Sequence, residues 1–329
     1  MKREHKAIAL FSGGLDSMLA VLYMQKLGYE VIPIFFESPF YPAAKAKHGA
    51  KVAGLKIEIV DITSDLIEVL KNPRYGFGKH MNPCIDCHGM MFRKAAEMLE
   101  KYQADFLISG EVVGQRPMSQ RPDAMNAVAK LSGVRELLVR PLCQRFLPDT
   151  KPITEGWVKK EEMLDFSGRG RQRQLALAEE YGLKDFENPA GGCLLTDKHV
   201  SEKVADLIKH NQLTPQYLKY LQQGRRVRIA ENLLLIVTRT KYESDYLTPQ
   251  LTDELVIKAV DIAGPMGVFL GENITTEQIE LAGRVILSYI NKLQSPTAQV
   301  EYGKKFKLNN KIEVSPLPRE ELDKLLINR

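Results

Sequence analysis

The chain has 329 residues, enough for about two domains that each bury a core. Its 44% hydrophobic and 26% charged residues describe a globular protein, and 46 Lys and Arg against 41 Asp and Glu leave a net charge of +5. That mild surplus permits an RNA or nucleotide partner without demanding one. Four cysteines in this length exclude a disulfide scaffold. No apolar run approaches the roughly 18 residues that span a bilayer. The expectation is a cytoplasmic protein with reduced thiols and no membrane partner.

Met1–Lys6 leads into a short apolar run, Ala7–Phe11, that ends in glycines and reads as a first strand rather than a signal peptide. Leu19, Leu22, Tyr23 and Leu27 then recur on one helical face, and Gly28 stops the helix. Val31–Phe36, Ile57–Ile62, Phe106–Ile108 and Leu137–Val139 read as further strands, and Met90–Tyr102 as the clearest helix between them. This alternation predicts an α/β fold: a parallel sheet with helices on both faces, with ligands beyond the carboxyl ends of the strands. Near residue 200 the pattern changes. A helix at Val200–His210, strands at Arg226–Ile229 and Leu233–Val237, a turn at Gly264–Pro265 and helices at Thr275–Leu293 and Arg319–Leu326 predict a smaller C-terminal α+β domain. The expected division is 1–200 and 201–329.

Ser12-Gly13-Gly14-Leu15-Asp16-Ser17 lies between the first strand and the first helix. Glycines let successive N–H groups converge on an anion, and the helix adds its positive end. The string has neither the Lys of a P-loop nor the spacing of a dinucleotide loop. A plain strand–helix turn is the competing reading. The full string resembles the signature of the PP-loop ATP pyrophosphatases. That resemblance implies an adenine nucleotide alpha hydrolase-like fold, with ATP and Mg2+ held by Ser12, Gly13, Gly14, Asp16 and Ser17. It also implies adenylation of a substrate oxygen with release of pyrophosphate.

Asn82-Pro83-Cys84-Ile85-Asp86-Cys87 places two thiols three positions apart, and a third, Cys193, follows Pro189-Ala190-Gly191-Gly192. Thiolates serve as soft metal ligands and as nucleophiles. An inert pair, a redox dithiol, zinc completed by His80 or His88, and iron–sulfur ligation all remain open on spacing alone. Cys143 has no partner spacing and reads as packing. Ile108-Ser109-Gly110-Glu111-Val112-Val113-Gly114-Gln115 follows a strand and resembles the G-E-x-x-G-Q segment of tRNA 4-thiouridine synthetase. Cys87 and Cys193 resemble the two cysteines of tRNA-specific 2-thiouridylases. With Cys84 they also resemble the three ligands of a 4Fe–4S cluster in cluster-dependent tRNA thiolases. These resemblances imply catalytic roles for Asp16, Cys87 and Cys193, and nucleotide binding at Ser109 and Gly110. They imply a sulfur donor as well, either sulfide or a cysteine desulfurase. Sulfur then comes from the cluster or from a persulfide resolved through a disulfide.

Arg169, Arg171 and Arg173 crowd the start of a helix at Gln174–Tyr181, where cations oppose the macrodipole, and an RNA phosphate would relieve them, so they are expected RNA contacts. Gln115, Arg116 and Gln120 are further polar candidates near the nucleotide or the uridine. With the ATP loop already at Ser12–Ser17, the N-terminal RNA-binding region usual in thiouridine synthetases is expected to be absent. Gly224-Arg225-Arg226-Val227-Arg228 and Val237-Thr238-Arg239 resemble segments of the NFACT-R-type RNA-binding domain, which implies RNA contacts at Arg225 and Arg226. Thr240-Lys241-Tyr242-Glu243 departs from the asparagine-rich turn of that family. Lys304–Lys307 reads as a solvated strand. The expected function is ATP-dependent tRNA uridine thiolation, 4-thiouridine before 2-thiouridine. A PP-loop ligase of a small metabolite predicts ATP turnover without RNA and indifference to Cys87 and Cys193. A non-catalytic, redox- or metal-sensing RNA-binding protein predicts RNA binding that survives Asp16→Ala.

Overall fold

The computed structural model describes residues 3–116, 119–186, 193–291, 293–304 and 307–327. The chain divides into two compact units, Met1–Asp197 and Lys198–Arg329. No helix among the described residues is long and apolar enough to cross a membrane.

The first unit runs β1 (Lys6–Leu10), α1 (Leu15–Lys26), β2 (Glu30–Glu37), α2 (Ala44–Val52), β3 (Glu58–Asp61) and α3 (Thr63–Lys71). It continues through α4 (Cys84–Glu97), β4 (Phe106–Ser109), α5 (Pro122–Ser132), β5 (Leu138–Val139) and α6 (Gln172–Glu180). Its strands form one parallel sheet in the order β3-β2-β1-β4-β5. β1 is central and covered on both faces, so its run is apolar throughout rather than alternating. Ala7 and Ala9 join Met18, Leu19 and Ala46 in a core under α1 and α2. Ile8 and Leu107, equally buried, face the side covered by α4. The chain moves outward from β1 to β3 and then crosses back to β4. The strand order therefore reverses between β1 and β4, and a crevice opens there at the carboxyl ends.

The second unit opens with α7 (Lys198–Lys209) and continues with β6 (Arg225–Ala230), β7 (Leu233–Val237), α8 (Lys241–Leu247), β8 (Leu255–Ala259) and β9 (Gly267–Leu270). α9 (Thr276–Leu287), β10 (Ala298–Lys304), β11 (Asn310–Val314) and α10 (Arg319–Leu325) complete it. The strands pair antiparallel in the order β11-β10-β8-β9-β7-β6, and α9 packs on one face. α9 starts where the sequence predicts, because Thr275 and Gln278 form a reciprocal capping box. It ends at Leu287 rather than Leu293: Ser288 Oγ accepts a hydrogen bond from Leu317 N at 2.8 Å and ties the helix end to the segment before α10. β10 reaches Lys304; Lys305 and Phe306, part of the expected solvated strand, lie outside the described residues.

Candidate active site

Leu10 lies beside Ile34 on one side and Ser109 on the other, so the turns after β1 and β4 leave the sheet together. The turn after β1 is held by three close backbone approaches. Gly13 has φ +76°, and a Cβ there would lie 2.6 Å from Ala46 Cα. A Cβ on Gly49 would fall 2.4 Å from Gly13 O, and one on Gly110 would fall 2.5 Å from Asp16 O. α2 and the end of β4 thus press on the loop from both sides. Ser17 Oγ donates to Gly14 O at 2.8 Å and accepts from Ser12 N at 3.2 Å. Ser17 N and Met18 N both donate to Gly14 O at 3.1 Å, which leaves Leu15 N and Asp16 N ahead of the first intrahelical bond. A turn of this shape, with the positive end of a helix behind it, has the geometry suited to an anion. Gly49→Ala is expected to displace Gly13 and to weaken ATP binding about tenfold, because a forced core contact costs roughly 1–3 kcal/mol. Calorimetric titration with ATP checks this, and an unchanged affinity would mean that the loop does not depend on the α2 contact.

Asp16 sits in the first turn of α1. Its Oδ2 accepts from Gln115 Nε2 at 2.7 Å and lies 3.5 Å from Arg171 Nη2. Gln174 Nε2 in turn donates to Gln115 Oε1 at 2.9 Å. Oδ1 is buried with no hydrogen-bond partner. Burial pushes the carboxyl pKa up, against Arg171, Gln115 and Arg116, which pull it down. An orphaned, desolvated carboxylate oxygen beside an anion-binding turn fits a hard divalent cation. Gln115, a peripheral candidate in the sequence, is therefore the direct partner of Asp16.

The three arginines expected to meet RNA do not act alike. Arg171 faces Asp16 and is part of the nucleotide loop's surroundings. Arg173 pairs with Asp165 at 2.5 Å and lies over the Phe166 ring. Arg169 is exposed. Arg171 and Arg173 thus each have a carboxylate partner at the start of α6.

Ser109 does not point its hydroxyl at the loop; it donates to Glu111 Oε2 at 3.2 Å. Gly110 serves by having no side chain where Asp16 and Ser17 pass. Glu111 is buried and bonds Arg140 Nε at 2.8 Å and His88 Nδ1 at 3.4 Å. Burial raises its pKa, but Arg140 and His88 together overcome that and hold it near 2. Cys143, buried as expected, donates to Glu111 O at 3.2 Å.

α4 begins at Cys84, not Met90, so Cys84 and Cys87 occupy its first turn. Asn82 Nδ2 donates to Cys84 Sγ at 3.3 Å, and Cys87 Sγ is 3.4 Å from the Tyr41 hydroxyl. Leu194 N donates to Phe40 O at 3.0 Å, which brings Cys193 to the same neighbourhood. Burial, with the other two thiols adding to it, pushes Cys87 up to about 12. Cys193 is raised to about 11, again chiefly by burial and further by Cys84. Pro189–Gly192 of the Gly-Gly-Cys string lie outside the described residues. Among the described residues no group of three or more His, Cys, Asp and Glu is placed to hold a metal ion. The three thiols nevertheless share one electrostatic neighbourhood, since Cys87 feels both Cys84 and Cys193 and Cys193 feels Cys84. His88, one of the two histidines weighed as a zinc ligand, lies 3.4 Å from Glu111 Oε1 through its Nδ1.

In the second unit Arg225 lies over the Tyr289 ring at 4.7 Å, partly exposed. Arg226 is corrected: it is fully buried, donates to Tyr217 O at 3.4 Å and presents no guanidinium to a phosphate. Burial lowers its pKa to about 10. The sequence reading missed two exposed aromatics on α8, Tyr242 and Tyr246, whose rings stack at 6.4 Å; their spacing of four on a helix was the available signal.

Two family models each match a part of the chain, and residues 146–223 lie outside both. Residues 3–145 match the thiamine biosynthesis protein (ThiI) family. Residues 224–326 match the NFACT protein RNA binding domain. The ThiI match takes in the nucleotide loop, Cys84, Cys87, Glu111 and Arg140, and stops before Cys193. A probable tRNA sulfurtransferase of Thermococcus kodakarensis is 30% identical over 144 residues, 42% of this chain and 37% of that protein. The tRNA-specific 2-thiouridylase MnmA of Sulfurimonas denitrificans is 29% identical over 120 residues, 33% of this chain and 35% of that one. The chain spans about a third of the length of these two relatives, and 51% of a probable tRNA sulfurtransferase of a Thermoanaerobacter species. A solved 4-thiouridine synthetase–RNA complex with bound ATP aligns at TM-score 0.35 and 22% identity, over 54% of this chain and 53% of that one.

Proposed function

We propose that the chain is an ATP-dependent tRNA uridine sulfurtransferase that forms 4-thiouridine. The observation that carries this reading is the placement of an anion-binding turn with an orphaned carboxylate, Asp16 Oδ1, in the unit that also brings Cys84, Cys87 and Cys193 together. The ThiI match and the relatives named for tRNA thiolation support it. The NFACT match supports RNA presentation by the second unit. The Ser109–Gln115 turn favours the 4-position. The MnmA relative favours 2-thiouridine as the second reading.

The loop from Ser12 to Ser17 binds the pyrophosphate end of ATP, and Asp16 would hold Mg2+, which neutralises phosphate charge. The uridine carbonyl oxygen attacks the α-phosphorus, and pyrophosphate leaves. One of Cys87 and Cys193 carries a persulfide whose outer sulfur is passed to the thiol, as sulfane sulfur, from the persulfide of a cysteine desulfurase, which is left as a free thiol. Its terminal sulfur attacks the activated carbon, and AMP departs with the former carbonyl oxygen. The second thiol then attacks the protein-side sulfur, releases the thiouridine and leaves a Cys87–Cys193 disulfide, which a dithiol reductant must reopen. Burial keeps both thiols protonated at neutral pH, so each must give up a proton as it reacts. Were Cys84, Cys87 and Cys193 to hold a 4Fe–4S cluster instead, that group would supply the sulfur as bound sulfide, with sulfide as the donor.

The test is nucleoside mass spectrometry of unmodified tRNA incubated with the full chain, ATP, Mg2+ and a persulfide donor. We expect one thiolated uridine, with AMP and pyrophosphate formed in step. Cys87→Ser and Cys193→Ser each abolish it, and Cys84→Ser retains it. Iron retained after anaerobic reconstitution, with activity lost in Cys84→Ser, would replace the persulfide route by a cluster. ATP turnover that ignores RNA and both thiols would replace the whole reading with a small-molecule ligase.

A further inference from the structure

We propose that the segment 72–83 is the seat of the acceptor nucleotide: Tyr75 and Phe77 stack on an unpaired uridine, while Arg74 and Lys79 meet its flanking phosphates. The proposal rests on the uridine-thiolation reading and names where the RNA enters that site. The segment, Asn72-Pro73-Arg74-Tyr75-Gly76-Phe77-Gly78-Lys79-His80-Met81-Asn82-Pro83, contains no acidic residue. Two large aromatic side chains stand in solvent on it, Tyr75 at 43% and Phe77 at 39% exposure. Aromatic faces interleaved with cations are what binds single-stranded nucleic acid, because every base offers a stacking face and every linkage a phosphate.

A polar glycine-rich turn with incidental aromatics would show no particular tie to the thiols. This one is fastened to them. Asp86, buried between Cys84 and Cys87 on the first turn of α4, accepts Arg74 N at 2.8 Å and Tyr75 N at 3.0 Å through its two oxygens. Asn82 closes the other end: its carbonyl accepts Gly78 N at 3.0 Å, its Oδ1 accepts His80 N at 3.1 Å, and its Nδ2 reaches Cys84 Sγ at 3.3 Å. Gly76 turns the chain at φ +71°, and a Cβ on Gly78 would lie 2.4 Å from Asn82 Nδ2. The aromatics are therefore set on a turn whose shape is fixed by the residues that flank the thiols. A base inside a duplex cannot reach a thiol on a helix, so the acceptor must be unpaired or extruded, with a stacking surface to receive it. Tyr75 and Phe77 are the exposed aromatics closest in sequence to Cys84 and Cys87.

The experiment uses the full chain with fluorescein-labelled oligouridine, the matching oligouridine–oligoadenosine duplex, and 5-bromouridine oligonucleotide for photocrosslinking. The Tyr75→Ala/Phe77→Ala double variant is expected to bind oligouridine about tenfold more weakly or worse, as the loss of base stacking predicts. Duplex and ATP binding stay at the wild-type level, Tyr75→Phe binds as wild type, and the crosslink maps to the peptide holding residues 72–83. Both changes are at exposed positions, and an unchanged thermal melt confirms that the fold is kept. Oligouridine binding by the double variant within about twofold of wild type, no binding by wild type, or crosslinks confined to other peptides each overturn the proposal. If wild type thiolates tRNA and the double variant does so at the same KM, the seat fails and the chemistry stands. If the crosslink forms at Tyr75 or Phe77 but tRNA gains no sulfur, the chemistry fails and the seat stands.

Discussion

Asp16→Asn is expected to lower ATP-dependent turnover by about a hundredfold or more while leaving the protein as stable as before, or more so. On the thiolation reading, the loss follows from removing the carboxylate that would hold a phosphate-bound cation, a term worth several kcal/mol in the transition state. The stability follows from the opposite sign of the same burial. The carboxyl pKa is raised in the folded chain, chiefly by desolvation. A raised acid pKa means that the folded state resists ionisation. The resulting cost is present above the folded pKa and vanishes below the unfolded one. Asparagine removes that cost at pH 7 and keeps the shape, although it leaves Arg171 without its carboxylate. Parallel assays of pyrophosphate release and thermal melting decide the matter. A variant that keeps turnover would remove Asp16 from the site, and one that loses turnover only because it melts early would make it structural.

Glu111→Ala is expected to cost about 3–5 kcal/mol of stability, because it strands the Arg140 guanidinium in a buried position. Arg140 is 9% exposed and already has Nη2 without a partner. The pH dependence has a definite direction. Burial works to raise the Glu111 pKa, Arg140 and His88 lower it more, and the carboxyl ends near 2 against an ordinary 4.5. A depressed acid pKa contributes stability above the unfolded value, and that stability is lost as the pH falls through the folded one. The contribution, ~3 kcal/mol on the linkage relation, is therefore complete above pH 4.5 and drains away between about 4.5 and 2. Wild type should lose melting temperature through that window, and Glu111→Gln should be less stable at pH 7 but flatter in acid. Equal slopes for the two proteins would show that the Arg140–Glu111–His88 group does not couple to folding.

The nucleotide loop was legible because everything that defines it is local: strand end, glycine pair, carboxylate and helix start fall within Ser12–Ser17. What grips the loop was not, because Gly49 and Gly110 matter only through tertiary approaches to Gly13 and Asp16. The start of α4 was missed because Pro83 and two cysteines mask the periodicity that becomes regular only at Met90. Arg226 misled for a physical reason. In β6 the residues alternate, so Val227 and Ile229 enter the core with α9 while Arg226 and Arg228 point to the other face. That face is also covered: Arg228 is bonded to Asp206 of α7 and to Gln212, and Arg226 is fully buried. A strand that reads as half-solvated was in fact buried on both sides.

The single bond from Leu194 N to Phe40 O has a consequence for synthesis. β1 must wait for about a hundred residues before β4 arrives to pair with it, an order in which long loops close late. Cys193 arrives later still, after the whole parallel sheet has left the ribosome. A nascent chain would thus hold the Ser12–Ser17 turn and the sheet behind it before it holds its last thiol. On the thiolation reading, a chain that stops before Cys193 carries the Ser12–Ser17 turn but lacks one of the two thiols assigned to sulfur transfer.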